Sequence, residues 1–227
     1  MNGKTFVNIW EKMHSQRSWG KYPNEELVKF VGRNFFKISK THRKNIKFLE
    51  IGCGQGANLW FLVKEGFDVY GIDISYSAIE KTEQYLKGEF CLDANLNVAD
   101  ARKLPYVNNF FDVVVDCAAI QCTSYSDHRE VYDEVYRVLK PNGYFWSFHI
   151  AKRSWGYGTG NLIDLDTFDN LSEGPLKNTG PACMPSEKDI KECYHKLKVT
   201  DIEKSILTYE NQQKEIIHYI IEARKGN

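Results

Sequence analysis

The sequence predicts an α/β chain built on a doubly wound, mostly parallel open sheet, on three observations. Strand-like and helix-like stretches alternate from residue 46 to residue 150, the pattern that lays helices on both faces of a parallel sheet. Phe111–Cys117 holds three consecutive valines, as a strand covered on both faces does. The first strand-like run ends in a turn with three glycines, Gly52, Gly54 and Gly56, and open sheets of this kind bind ligands at such strand ends.

Taken in order, Pro23 announces a helix, Asn24 caps it, and Glu25 and Glu26 fill its first turn. Leu27, Val28, Val31, Phe35 and Ile38 then recur at helical spacing. Ile46–Ile51 reads as a buried strand broken at Gly52, with a helix over Ala57–Glu65 behind it. Asp68–Ile74 is a second strand, Ser75 caps a helix to about Lys87, and Leu96–Ala99 makes a short third strand. After Phe111–Cys117, Asp127 opens a helix whose core face is Val131, Val135 and Val138. Lys140-Pro141-Asn142-Gly143 stops it, and Tyr144–Ile150 is the next strand.

The last third departs from that alternation. Ala151–Pro185 has five glycines, three prolines and no clear period, so it reads as a long irregular loop, and loops of that length are usually functional. Ser186 begins a helix through about Leu197. Val199–Leu207 and Ile216–Ala223 read as an antiparallel hairpin joined at Glu210-Asn211-Gln212-Gln213.

A chain of 227 residues, 42% hydrophobic and 26% charged, can bury one sizeable core. Its 30 basic and 30 acidic side chains cancel, which removes the broad positive field that nucleic-acid binding uses. The six cysteines form no CxxC pair and no zinc-ligand spacing, so they read as reduced thiols. No apolar run approaches the roughly 18 residues that a membrane span requires, and no apolar leader follows Lys4. The expectation is a cytoplasmic protein with no nucleic-acid or membrane partner.

The chemistry centres on Leu49-Glu50-Ile51-Gly52-Cys53-Gly54-Gln55-Gly56-Ala57. Without side chains at its glycines, this turn can bend sharply and let a cofactor lie on the backbone. Gly52, Gly54 and Ala57 also satisfy the G-x-G-x-x-[G/A] dinucleotide fingerprint, so the turn alone leaves the cofactor open. Asp73, at the end of the second strand, can accept hydrogen bonds from both hydroxyls of an adenosine ribose, which either kind of cofactor requires.

The ordered set Gly71-Ile72-Asp73-Ile74-Ser75, Val98-Ala99-Asp100-Ala101 with Leu104-Pro105, Phe110-Phe111-Asp112-Val113-Val114 and Val138-Leu139-Lys140-Pro141-Asn142-Gly143 narrows the choice. Over about Ile46–Ile150 it resembles the class I S-adenosylmethionine-dependent methyltransferases, in particular the ubiquinone-biosynthesis-like (type 11) group. The resemblance implies a Rossmann-like, seven-stranded, mostly parallel sheet with a reversed C-terminal strand and an irregular cap. It implies S-adenosylmethionine as cofactor, leaving as S-adenosylhomocysteine. It assigns Glu50, Gly52, Cys53, Gly54 and Gly56 to the methionine end, Asp73 with Ile74 to the ribose, Asp100 and Ala101 to the adenine, and Cys117 to the wall beside the sulfonium. Aromatic segments flank such cores, here Trp10 to Tyr22 with Trp10, Trp19 and Tyr22, and Trp155 to Phe168 with Trp155, Tyr157 and Phe168; Trp19 and Tyr22 would cap the cofactor while Trp155 and Tyr157 would shape the acceptor pocket. The division that follows is a single domain: N-terminal arm and helix over 1–45, cofactor-binding core over 46–150, acceptor cap loop over 151–185, closing helix and hairpin over 186–227.

Methyl transfer to an alcohol requires a proton acceptor, and His149, at the end of the fifth predicted strand, is the first candidate. His14 qualifies only if the arm folds over the site. Gln121 is a further acceptor contact, and Lys152 and Arg153 could bind a phosphate or carboxylate on the acceptor. Tyr22-Pro23-Asn24-Glu25-Glu26 resembles the arm of methyltransferases that tailor bacterial surface polysaccharides, which points to O-methylation of a sugar, nucleotide-linked or phospho-group acceptor. N-methylation of a small amine or amino sugar is the alternative. Asp116-Cys117-Ala118-Ala119-Ile120-Gln121 lacks the Asn/Asp-Pro-Pro-Tyr/Phe motif of base methyltransferases, and no paired carboxylates or histidines suggest a catechol-type magnesium site, so metal-independent transfer is expected. A nicotinamide oxidoreductase would need a Tyr-x-x-x-Lys constellation in the expected place, which the chain lacks. A non-catalytic S-adenosylmethionine-binding protein is the remaining alternative.

Overall fold

The structure, a computed structural model, describes residues 3–227, with side chains from Val7 onward. Its strands are β1 (Lys47–Ile51), β2 (Asp68–Asp73), β3 (Asn95–Val98), β4 (Phe111–Cys117), β5 (Leu139–Ile150), β6 (Asn161–Asp164), β7 (Thr167–Asp169), β8 (Ala182–Cys183), β9 (Leu197–Tyr209) and β10 (Lys214–Lys225). Seven of them form one sheet in the order β3-β2-β1-β4-β5-β10-β9. β1 to β5 run parallel, and β10 is antiparallel to both of its neighbours. This is the Rossmann-like sheet with a reversed final strand that the resemblance implied. The order reverses between β1 and β4, which opens a crevice at their carboxyl ends.

The helices are α1 (Gly3–Gln16), α2 (Glu25–Phe35), α3 (Lys40–Arg43), α4 (Leu59–Lys64), α5 (Tyr76–Phe90), α6 (Tyr125–Val138) and α7 (Glu187–Cys193). Local chemistry sets several of their starts. The Asn24 side-chain oxygen accepts from the amides of Glu26 at 2.9 Å and Leu27 at 3.2 Å, and Ser75 Oγ accepts from Ala78 at 3.1 Å. Such caps are worth roughly 0.5–2 kcal/mol each. Ser186 and Asp189 form a reciprocal capping box on α7.

Side-chain alternation along the strands divides the core into two layers. Leu49, Ile72, Val114 and Phe145 pack with Val131 and Val135 of α6 on one face, while Phe48, Val69, Val113 and Trp146 pack with Leu27 and Phe30 of α2 on the other. Burial of each such side chain stabilises the fold by roughly 1.5–3 kcal/mol.

Several expectations are corrected. α1 carries no strong sequence signal, yet it forms and packs on α5. α6 begins at Tyr125, ahead of Asp127, because Ser124 is its cap. The proline–glycine turn at 140–143 lies inside β5 as an excursion: pairing jumps from Phe111↔Leu139 to Val113↔Tyr144, and Asn142 takes the left-handed conformation at φ 62°. α7 ends at Cys193, before Leu197, which starts β9. The cap is not irregular throughout, because β6, β7 and β8 form a three-stranded antiparallel sheet over Phe168, Leu171, Leu176 and Met184. Strands of two to four residues are too short to show a period. Among the described residues no helix is long and apolar enough to cross a membrane.

Candidate functional site

A cavity of about 380 Å³ lies where β1, β2 and β4 end. Its floor begins at the glycine turn, where Gly52, Gly54 and Gly56 have φ of 62°, 53° and 83°. A side chain is excluded at Gly52 by space as well as by strain, since a Cβ there would sit 2.3 Å from the Cβ of Ala119. Asp73 joins this turn from β2. Its Oδ2 accepts the Gly54 amide at 2.9 Å and its Oδ1 accepts the Ser75 amide at 2.9 Å. Burial raises the carboxyl's pKa while those amides act to lower it.

Behind the turn, Glu50 is buried outside the cavity wall. One carboxylate oxygen accepts from Asn58 Nδ2 at 2.6 Å, and the other has no partner. Burial pushes its pKa up to about 8. Asn58 Oδ1 in turn accepts the Asn24 amide at 2.8 Å, so the start of α2 is tied to this acid. An unpaired buried carboxylate oxygen is costly, and retaining the proton relieves that cost.

At another part of the wall, Asp100 and Ala101 are joined by Arg102 and Asp127. Arg102 donates to Asp100 at 2.7 Å and to Asp127 at 3.1 Å. Burial would raise the Asp100 carboxyl, but its bonds from Arg102 outweigh that and hold it below its ordinary value.

The N-terminal arm roofs the cavity. Glu11 accepts from Ser75 Oγ at 2.7 Å and from the Ser77 amide at 3.1 Å, and Lys81 Nζ donates to the carbonyl of His14. Gln55 accepts the Trp19 amide at 3.1 Å and donates to Arg17 O at 2.8 Å. Thus anchored, Trp10, His14 and Trp19 line the cavity, with ring centroids 5.7–6.4 Å apart. His14 is buried and its Nδ1 has no partner. Burial lowers its pKa, against the pull of Asp73.

Of the residues singled out from sequence, the wall brings together Gly52, Gly54, Asp73, Ile74, Asp100, Ala101, Cys117, His14 and Trp19. Cys53 is buried behind the turn, and Gly56 faces Thr82. Tyr22 is 84% exposed and outside the wall. His149 also lies outside it, fully buried, with Nδ1 on Ile150 O at 2.8 Å, and its ring is 5.4 Å from that of His128. Its placement at the rim is therefore corrected: the strand's alternation turns the ring into the core. Gln121 spends its Oε1 on the Ile150 amide at 2.7 Å. Lys152 pairs with Asp166 at 2.9 Å, Tyr157 donates to Asp166 at 2.5 Å, and Trp155 donates to Glu173 at 2.7 Å. These three serve the cap's own structure, and they and Arg153 stand outside the wall.

Sequence reasoning missed Arg102, Asp127, Ala119, Ile163 and Pro181 as wall residues. Adjacency to Asp100-Ala101 could have flagged Arg102. Nothing in the cap's sequence marks Ile163 or Pro181, which arrive through chain folding alone.

Residues 49–147 match the family model described as a methyltransferase domain. Over 157 residues the chain is 30% identical to the thiol S-methyltransferase TMT1B of Mus musculus, covering 66% of this chain and 60% of that protein. The chain spans between 27% and 60% of the length of the curated relatives it matches. Its fold is similar to that of a SAM-dependent methyltransferase from Methanosarcina mazei, with a TM-score of 0.65, 23% identity, and coverage of 79% of this chain and 92% of that one. It is also similar to a structure solved for the conversion of a disulfide bond into a thioacetal group during echinomycin biosynthesis, with a TM-score of 0.73, 18% identity, and coverage of 97% and 92%. The fold is thus the Rossmann-like methyltransferase fold. The segment that matches the methyltransferase domain, 49–147, holds the glycine turn, Asp73 and Asp100-Ala101 of the cavity wall.

Proposed function

We propose that this chain is an S-adenosylmethionine-dependent methyltransferase acting on a small molecule, without a metal ion. The observation that carries this reading is the cavity formed jointly by the Gly52–Gly54 turn, Asp73 and Asp100-Ala101. The residues fit the cofactor: the turn leaves room for a ligand against bare backbone, and Asp73 offers carboxylate oxygens for ribose hydroxyls. When bound, the cofactor supplies an electrophilic methyl on a sulfonium.

The chain's own part is positioning, which requires the acceptor's nucleophile about 3 Å from the methyl carbon, opposite sulfur. The roof of Trp10, His14 and Trp19 excludes water from that space. His14, kept neutral at pH 7 by burial, is the wall histidine able to take the acceptor's proton. The acceptor is a separate matter. Lys152 and Arg153, the basis for a phosphorylated or sugar-linked acceptor, are outside the wall, as is Tyr22 of the polysaccharide-type arm, so that narrower reading has no support in the cavity. Six free cysteines suit a reducing, cytoplasmic setting.

Isothermal titration with S-adenosylmethionine and S-adenosylhomocysteine tests the reading, with NAD(H) and NADP(H) as controls. Micromolar binding of the methyl-donor pair, abolished in Asp73→Ala, is the expected result. Preference for a nicotinamide, or no binding at all, overturns it.

A further inference from the structure

The cap strand β6 carries a bulge at the edge of the cavity. It pairs with β7 as Leu162↔Phe168 and then Asp164↔Thr167, so Ile163 stands outside the regular ladder. Bulges re-aim side chains in this way, often beside active sites. Ile163 lines the cavity, yet it is 46% exposed, and it is flanked by Leu162 at 68% and Leu165 at 46%. An apolar lip therefore continues from inside the cavity to the outer surface. It is held in place, because Asp164 Oδ2 accepts the Ser126 amide at 2.7 Å at the start of α6.

The charges of the wall say what the lip serves. Its ionisable groups are Asp73, Asp100, Asp127, Arg102 and the buried His14. Asp73 and Asp100 face the cofactor in the reading above, and Arg102 is engaged by Asp100 and Asp127, so among the described residues the wall offers the acceptor no unmatched cation. Lys152, in the cap, is paired with Asp166 outside the wall. An acceptor bearing a phosphate or carboxylate would lose its water here with no free cation to replace it.

We propose that the acceptor has an apolar body and carries no phosphate or carboxylate, and that it reaches the cavity over Leu162, Ile163 and Leu165, leaving its apolar end on that lip. The proposal rests on the methyltransferase reading above. Singly exposed apolar residues are ordinary on protein surfaces; these three are distinguished by continuity with the cavity and by the bulge that aims Ile163 into it.

The test uses the full chain saturated with S-adenosylhomocysteine and two fluorescent probes of one ring system: neutral N-phenyl-1-naphthylamine and 1-anilinonaphthalene-8-sulfonate, which adds an anionic group. The expected result is that the neutral probe binds at least about tenfold more tightly than the sulfonate. In the double variant Leu162→Ser, Leu165→Ser, at lip residues outside the cavity wall, its affinity should fall at least about tenfold, with S-adenosylhomocysteine affinity unchanged. No binding of the neutral probe, equal or tighter binding of the sulfonate, or an unaffected double variant overturns the proposal. So does a wild-type dimer that the double variant abolishes, since the lip then covers a second copy. Cofactor titration reads the methyltransferase assignment and probe titration reads the lip, so the two can fail separately.

Discussion

Asp73 Oδ2 accepts the backbone amide of Gly54 at 2.9 Å, which makes the carboxylate at the end of β2 and the glycine turn after β1 one hydrogen-bonded unit. Its second oxygen holds Ser75, the cap of α5, at 2.9 Å. Turn, acid and helix are therefore registered together before any ligand arrives.

Asp73→Ala should weaken S-adenosylhomocysteine binding at least about a hundredfold, since two bonds to a charged group at roughly 1.5–3 kcal/mol each are lost. Asp73→Asn keeps one acceptor oxygen and should lose less. Calorimetric titration of both variants checks the order, and equal losses would show that the carboxylate acts only through the backbone it holds.

Gly52→Ala and Gly54→Ala should separate space from strain. Both positions have positive φ, at roughly 1–3 kcal/mol for a side chain, but only at Gly52 does a new Cβ meet Ala119 at 2.3 Å. At Gly54 the nearest atom is His14 Cε1 at 3.5 Å. Urea midpoints should fall further for Gly52→Ala, and adding Ala119→Gly should recover part of that loss. A double variant no more stable than Gly52→Ala alone would rule out the contact.

His14 and His149, both buried, should behave differently. With an acceptor that is turned over, His14→Ala should lower kcat on the order of a hundredfold or more if its imidazole takes the proton. His149→Leu should change kcat by less than about threefold, because that ring is sealed outside the cavity wall with its pKa driven down to about 4 by burial. The reverse ranking would return the proton acceptor to β5.

The pH dependence of stability has a definite sign at Glu50. Burial raises its folded pKa to about 8, whereas the unfolded side chain titrates near 4.5. Between those values the unfolded state has released a proton that the folded state keeps, so Glu50 costs increasing stability as pH rises through that window and no more above it. The advantage of Glu50→Gln over wild type should grow from about pH 4.5 to about pH 8, reaching a few kcal/mol at most. A pH-independent difference in denaturant unfolding would contradict this. His128, His149 and His218 act at the acid end, with burial lowering them to about 3, 4 and 4. Their contribution is present above the ordinary histidine pKa of about 6.5 and is lost as pH falls from there toward 4.

Much of the sheet was legible in sequence because its signals are local. Phe111–Cys117 appears as a strand over the same residues, Asn24 and Ser75 cap the helices expected of them, and the glycine turn stands between β1 and α4. Element ends were less legible. α6 starts where Ser124 outcompetes Asp127 as cap, and the turn at 140–143 is absorbed into β5 because Phe111 and Leu139 pair beyond it.

The wall of the cavity divides along the same line. Gly52 and Asp73 could be found because each sits at the end of a strand, where chain order and sheet topology together dictate position, while Asp100-Ala101 came from the family resemblance. Ile163 and Pro181 could not, since they reach the cavity from a cap whose placement depends on contacts such as Asp164 meeting Ser126.

By itself, then, the sequence determined the alternation of strands and helices, the bare backbone of the turn and the acid that follows it, since periodicity, caps and glycine act within a few residues of chain. Tertiary structure alone decided which side chains face the cavity: it buried His149 in the core, paired Lys152 with Asp166 and brought His14 over Gly54. Those outcomes depend on packing and ion pairing between segments far apart in the chain, where a residue's type leaves its partner open.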